Sequence, residues 1–228
     1  MKSKYSLYLI TAVLSVLFSC SRNLDNYPAP DSRIYGSILN EATGEPVPSE
    51  EPNGFRIRLM AEAYGDATPI DFWGKADGSF QNTKVFTGTY RVVPIEGAFL
   101  PPDTQQVKIS GSTEVNFKVT PFLSINASAK AGSKTIITEY TISRSTIADK
   151  IIVCKSLMAT YPTLSNTVFD KAITHNLSAI DDNSVLSTHF KDTIPDVQSG
   201  TYYVRITAAT NNALNKYNYS TVMKVEVP

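Results

Sequence analysis

The chain has 228 residues, 42% hydrophobic and 10% aromatic, enough apolar material for one or two packed cores. Lys plus Arg and Asp plus Glu each number 21, so no basic excess points to nucleic acid as a partner. Twelve Tyr, ten Phe and thirteen Pro, with many Thr and Val, favour short strands broken by turns, and no long amphipathic helical period follows the N-terminus.

Lys2 and Lys4 precede an apolar run from Tyr5 to Ser19. The run is short for a membrane span of about 20 residues and has the shape of a secretory h-region. It ends in Leu17-Phe18-Ser19-Cys20, which resembles a bacterial lipoprotein signal with Phe18 where the pattern normally carries a small residue. The resemblance implies a signal peptide over 1–20, with Cys20 lipidated and the chain held at the outer membrane, on its surface or its periplasmic face. Each buried acyl methylene contributes about 0.8 kcal/mol to such an anchor. Ordinary secretion with cleavage near Ser19 is the alternative. Residues 21–32 read as a tether, with Asn23, Asp25, Asn26, Pro28, Pro30 and Asp31 giving turn chemistry and no apolar period. With Cys20 holding lipid, Cys154 has no disulfide partner. It sits in the apolar run 150–154 as a small buried hydrophobe, and neither His175 nor His189 stands in a nucleophile motif with it.

A first domain over 33–120 begins with a strand from Ile34 to Leu39, broken at Thr43-Gly44-Glu45-Pro46-Val47. A second strand, Phe55 to Met60, puts Phe55, Ile57 and Leu59 on one face and Arg56 and Arg58 on the other. Pro69 to Trp73 makes a third. Strands follow on either side of Gly88, and 105–109 and 114–119 close the set. Asp77-Gly78 is a turn dipeptide in which Gly78, and Gly88 after it, are expected at positive φ. Seven short strands at this spacing imply a β-sandwich.

Gly36, Asn40, the Thr43–Val47 turn, Asp77-Gly78-Ser79-Phe80 and Gly88-Thr89-Tyr90-Arg91-Val92 stand as in carboxypeptidase regulatory-like, transthyretin-like sandwiches. Asp25-Asn26-Tyr27, Phe80–Phe86 and Gly97-Ala98-Phe99 before Pro101-Pro102 are similar to a family of Bacteroidetes lipoproteins with a DUF3823 module. The shared residues are turn glycines and core aromatics, strong for fold and nearly silent on chemistry. The resemblance implies association with SusC/SusD-like proteins of glycan capture as partners.

The second domain, 121–228, is joined to the first by few residues at Thr120-Pro121, which marks that joint as a site of proteolytic cutting. Strands are expected over 122–129, 136–142 and 150–157, weakly near Val168 and Ile173, and over 184–190. Gly200 to Ala208 and Tyr219 to Val227 form a closing hairpin that resembles the last strands of Ig and fibronectin III domains. The fold class is therefore all-β, two tandem β-sandwiches, transthyretin-like and then Ig/fibronectin III-like.

No cluster spells out catalysis, and no cofactor or metal is expected. Asp181-Asp182-Asn183-Ser184 offers oxygens to a hard cation, yet lacks the spaced acidic residues of a calcium loop and reads as a turn. Glu50-Glu51 with Glu96 would need a set separation for glycoside hydrolysis. Asp192-Thr193-Ile194 resembles a Bacteroidetes O-glycosylation motif in a loop, with Thr193 as acceptor. Exposed aromatics are the better lead, because the apolar face of a sugar packs on an indole or phenol while its hydroxyls bond to Asn, Asp and Arg. If Ile70 and Phe72 face the core, period two puts Asp71 and Trp73 outside; the opposite register buries Trp73. Tyr217 and Tyr219, near Asn212, form a second candidate patch. Two functions follow: a non-catalytic lipoprotein that binds glycan or docks on a SusC/SusD-like complex, and a structural spacer or adhesion module without a small ligand.

Overall fold

The computed structural model describes residues 28–64, 68–145 and 149–228; the apolar N-terminal run, Cys20 and most of the tether lie outside these residues. Residues 31–228 form one compact all-β unit.

In the first half, β1 (Ser32–Asn40) is flanked antiparallel by β4 (Ser79–Val85) and parallel by β7 (Ser112–Glu114) and β8 (Phe117–Val119). The single strand expected over 114–119 is split. At the break Val115 N donates to Tyr35 O, and a Cβ on Gly36 would lie 1.7 Å from Val115 O. Only glycine admits that approach, so the kink is written into β1 rather than into the broken strand. The facing sheet runs β3 (Ile70–Trp73), β2 (Arg56–Ala61), β5 (Gly88–Ile95), β6 (Gln105–Ile109). Period two turns Ile57, Leu59, Tyr90 and Val92 inward, where they meet Ile34, Ile38, Phe80 and Phe117 in one core.

Gly78 adopts φ +82° in the turn before β4, and a Cβ there would lie 2.5 Å from Val47 O. The Asp77 carboxylate accepts from Ser79 N at 2.9 Å and from Ser79 Oγ at 2.7 Å, which closes the turn. Gly88 departs from expectation. It is not at positive φ but opens β5, and the bend before it is held by the Tyr90 hydroxyl donating to Phe86 O at 2.9 Å.

The second half stacks the sheet β13 (Phe190–Ile194), β10 (Thr135–Ser143), β9 (Ser124–Gly132) on a larger one. There β11 (Ile151–Ala159) lies between β12 (Lys171–Asn176) and β14 (Gly200–Thr210), and β14 pairs in turn with β15 (Tyr217–Tyr219) and β16 (Met223–Val227). The strand expected over 184–190 is replaced by a short helix, α1 (Asp182–Ser187), and β13 starts only at Phe190. Local chemistry decides it. Asp181 is an N-cap whose carboxylate accepts from Ser184 N at 2.9 Å, and Val185 is the buried residue of the turn. Near Val168 there is only an isolated bridge to Ser165.

The joint between the halves is not an open linker. Leu100 N donates to Thr120 O at 2.9 Å, Phe122 N donates to Ala98 O at 3.1 Å, and Phe99 bridges Pro121, which is buried. A protease finds no extended segment there. Arg205 adds a second tie. It lies opposite Leu157 on the outward face of β14, away from the core residues Ile206 and Ala208. Nε donates to Ser220 O at 2.9 Å, Nη1 to Leu164 O at 3.0 Å, and Nη2 to Ser49 O at 2.8 Å and Ala76 O at 3.2 Å. Its side chain is fully buried, and burial pushes its pKa down to about 10.

Candidate functional site

The outward face of β3, β2 and β5 carries two rows of side chains fixed by register. Trp73, Arg56 and Ile95 are direct cross-strand neighbours, and so are Asp71, Arg58 and Val93. This is the register that faces Asp71 and Trp73 outward; Phe72 packs on the core, and Trp73 is 40% exposed. Arg58 grips Asp71 in a bidentate pair, Nε to Oδ1 at 2.8 Å and Nη2 to Oδ2 at 2.7 Å. The bond from Arg58 holds the Asp71 carboxyl below the usual carboxylate range, and Asp71 raises Arg58 in return. Arg56 reaches Asp71 at 3.5 Å through Nη1 and pairs with Glu96 through Nη2, while its Cζ lies 5.3 Å from the Trp73 ring centre.

The second half completes this site. Lys216 Nζ lies 5.6 Å from the Trp73 ring centre and donates to Asn53 O at 2.5 Å. Asn212 positions it: its Oδ1 accepts from Lys216 N at 2.9 Å and its Nδ2 donates to Lys216 O at 2.9 Å. Asn53, Glu96 and Asn215 are three of the five non-glycine residues at positive φ among the described residues. Such conformations cost of order 1–3 kcal/mol each and persist where the surroundings over-determine them. Beside the platform, and sharing Ile95 and Glu96 with it, opens a cleft of about 440 Å³ lined further by Phe99, Leu100, Phe122 and Leu214. Leu214 is 54% exposed at its edge.

The other expected residues divide. Asn212 is buried and spends its amide on the loop, so it shapes the site without facing a ligand. Tyr219 is also removed from the candidate surface. It is 3% exposed, its hydroxyl accepts from Asn166 N at 3.0 Å and donates to Glu50 at 3.3 Å, its ring lies 4.4 Å from Arg205 Cζ, and burial raises its pKa. Two residues apart on β15, Tyr217 and Tyr219 share the outer face as period two requires, and Asn166 and Glu50 cover that face at Tyr219. Tyr217 stays half-buried, with Lys155 Nζ 5.8 Å from its ring centre. Thr193 is exposed but lies in β13, not in a loop. Asp192 of the same motif is buried, accepting from Ser156 Oγ at 2.6 Å and paired with His175 Nε2 at 2.7 Å.

The acidic alternatives are engaged elsewhere. Glu51 caps Ala76 N, Glu50 meets Tyr219, and Glu96 meets Arg56. Asp182 takes Lys150 and Arg144. Cys154 is buried beside the Tyr140 hydroxyl at 3.3 Å, and burial pushes its thiol up to about 11, so it stays protonated. Among the described residues no group of three or more His, Cys, Asp or Glu is placed to hold a metal ion.

Arg56 and Arg58 were legible as outward residues in the alternation of β2. Glu96 and Lys216 carried no local signal, because only the tertiary fold brings them to Trp73.

Residues 32–120 match the family model described as the N-terminal domain of DUF3823, a protein of unknown function. Among solved structures, a DUF3823 family protein of Bacteroides uniformis ATCC 8492 is 23% identical, with a TM-score of 0.75 over 87% of this chain and 100% of its own. One from Parabacteroides merdae ATCC 43184 is 21% identical, with a TM-score of 0.75 over 87% and 100%. A candidate carbohydrate binding protein of Bacteroides uniformis ATCC 8492 is 24% identical, with a TM-score of 0.73 over 86% and 99%. These likenesses establish the shared all-β fold. No curated protein matches the sequence.

Proposed function

We propose that this chain, a DUF3823 N-terminal domain over residues 32–120 continued by a second sandwich, is a non-catalytic cell-envelope protein that binds carbohydrate on the outer face of β3, β2 and β5. The observation that carries the reading is Trp73, 40% exposed on a strand and bordered by Arg56, Arg58, Asp71 and Glu96. A pyranose packs its C–H face on an indole, and hydrogen bonds from charged groups to its hydroxyls contribute about 1.5–3 kcal/mol each. Because the groups are held by strand register and ion pairs, little ordering is needed on binding. The similar fold of a candidate carbohydrate binding protein supports the reading. A glycan array followed by calorimetry tests it. Trp73→Ala should weaken binding at least tenfold while lowering stability by less than about 1 kcal/mol, as for a surface substitution. Unchanged affinity in that variant removes the platform from the function.

The same proposal includes anchoring through Cys20 in the outer membrane, and delivery of the glycan to a SusC/SusD-like complex. Cys20→Ala should release the protein into the soluble fraction; a variant that still pellets with outer membrane after a high-salt wash contradicts the anchor. A spacer role is the second reading, favoured by the tie of Arg205 to Ser49 and Ala76, which stiffens the junction. It expects an empty array for the whole chain.

A further inference from the structure

Resting on the carbohydrate reading, we infer that the saccharide taken at Trp73 is acidic, carrying a carboxylate or a sulfate that Lys216 receives. The charges around the indole do not balance. Arg58 and Asp71 satisfy each other, and Arg56 is matched by Glu96 with a longer reach to Asp71. Lys216 has no carboxylate within 4.0 Å among the described residues. Three cations thus meet two carboxylates around one ring, leaving a single positive charge over.

The placement of that charge is built, not incidental. Asn212 fixes both the N–H and the carbonyl of Lys216, Asn215 before it is held at φ 52°, and Asn53, which supplies the carbonyl, is held at φ 60°. An ammonium has three donors, and the Asn53 carbonyl takes one. The other two are presented half-buried over the indole, 5.6 Å from its ring centre, where water competes less than at an open surface. A sugar lying against the exposed part of the indole brings its substituents toward this ammonium and the Arg56 guanidinium, whose Cζ lies 5.3 Å from the same ring centre. A hydroxymethyl group there would leave the extra charge unanswered; a carboxylate or sulfate ester would close the balance. A lysine serving only to tie the two halves would gain more from further backbone carbonyls, as Arg205 does with four.

The test uses the full chain and an array of polysaccharides printed in pairs: uronic-acid polymers beside their carboxyl-reduced forms, and sulfated polymers beside their desulfated forms. In about 50 mM salt the acidic member of at least one pair should bind roughly fivefold more tightly, and the gap should shrink at about 0.5 M. Whether the carboxylate or the sulfate pairs show the gap identifies the anion. Lys216→Met should lose the preference and Lys216→Arg should keep it, with melting temperatures reporting that both fold. Neutral members bound as tightly as acidic ones, or an unchanged preference in Lys216→Met, overturns the inference and leaves carbohydrate binding standing. Binding to no pair and to no neutral glycan removes the carbohydrate reading, and this inference with it.

Discussion

Two arginines, each laid on an aromatic ring of a neighbouring strand, show how the same chemical pair serves opposite ends. Arg56 lies 5.3 Å from Trp73 on the outer face of the first half, and Arg205 lies 4.4 Å from Tyr219 on the outer face of the second. Arg56 keeps a side chain 28% exposed and answers to carboxylates. Arg205 is sealed and answers to four backbone carbonyls, two of them from the other half. Carboxylates neutralise a guanidinium that water and ligand still reach. Carbonyls satisfy its donors without neutralising it, which suits a site that nothing needs to enter. What covers the strand face, more than the pair itself, decides between a platform and a lock.

Matched substitutions separate the two. Arg205→Met removes the donors to Ser49, Ala76, Leu164 and Ser220 and strands those carbonyls away from water, so stability should fall by about 3–5 kcal/mol. For a unit of this size that is a drop of roughly 10 °C in melting temperature. Arg56→Met should cost less than about 1 kcal/mol while weakening glycan binding. Equal falls in a calorimetric scan would erase the distinction.

Gly78→Val comes next. A β-branched residue at φ +82°, with Val47 O 2.5 Å from its Cβ, should cost about 1–3 kcal/mol or more. Because Ala76 O, two residues earlier, accepts from Arg205, the double variant with Arg205→Met should lose less than the sum of the two singles. Strict additivity would show that the turn and the lock are independent, and an unchanged melting temperature for Gly78→Val alone would contradict the turn.

The smallest effect is the pH dependence of the platform. The bond from Arg58 lowers the Asp71 pKa, so the pair stabilises the fold at neutral pH, and its contribution is lost as pH falls through and below the ordinary value of 3.8. Wild type should melt above Asp71→Asn by an amount equivalent to about 1 kcal/mol at neutral pH, and the two curves should converge in acid. A gap that widens in acid would reverse the sign and the assignment.

Strand alternation made most of the fold legible. Ile57 and Leu59 against Arg56 and Arg58 fix which face of β2 is buried, and Trp73 follows through its pairing with Arg56. Local capping chemistry was the weak point: Asp181 and Ser184 start a helix where apolar residues suggested a strand. Tyr219 and Asn212 failed as ligand residues for a different reason. Whether an aromatic on an outer face meets water depends on segments far away in sequence, here the 160–168 loop and Glu50, and no local pattern records that. Lys216 entered the site by the same route, which is why half of the platform was visible in the sequence and half was not.

The reach of Arg205 has a consequence for the order in which the chain is made. Its partners Ser49 and Ala76 lie 156 and 129 residues upstream. During synthesis from the N-terminus, the first sandwich has all its own strands long before residue 205 emerges, and until then the Ala76 carbonyl has its bond from Ser49 N while the Ser49 carbonyl lacks the guanidinium. The contact is among the last to be closed and spans most of the length, so a chain truncated before β14 retains every residue of the first core and lacks the cation that seals its outer loops. Emergence of β14 is thus registered structurally in loops of the first half, at Ser49 and Ala76.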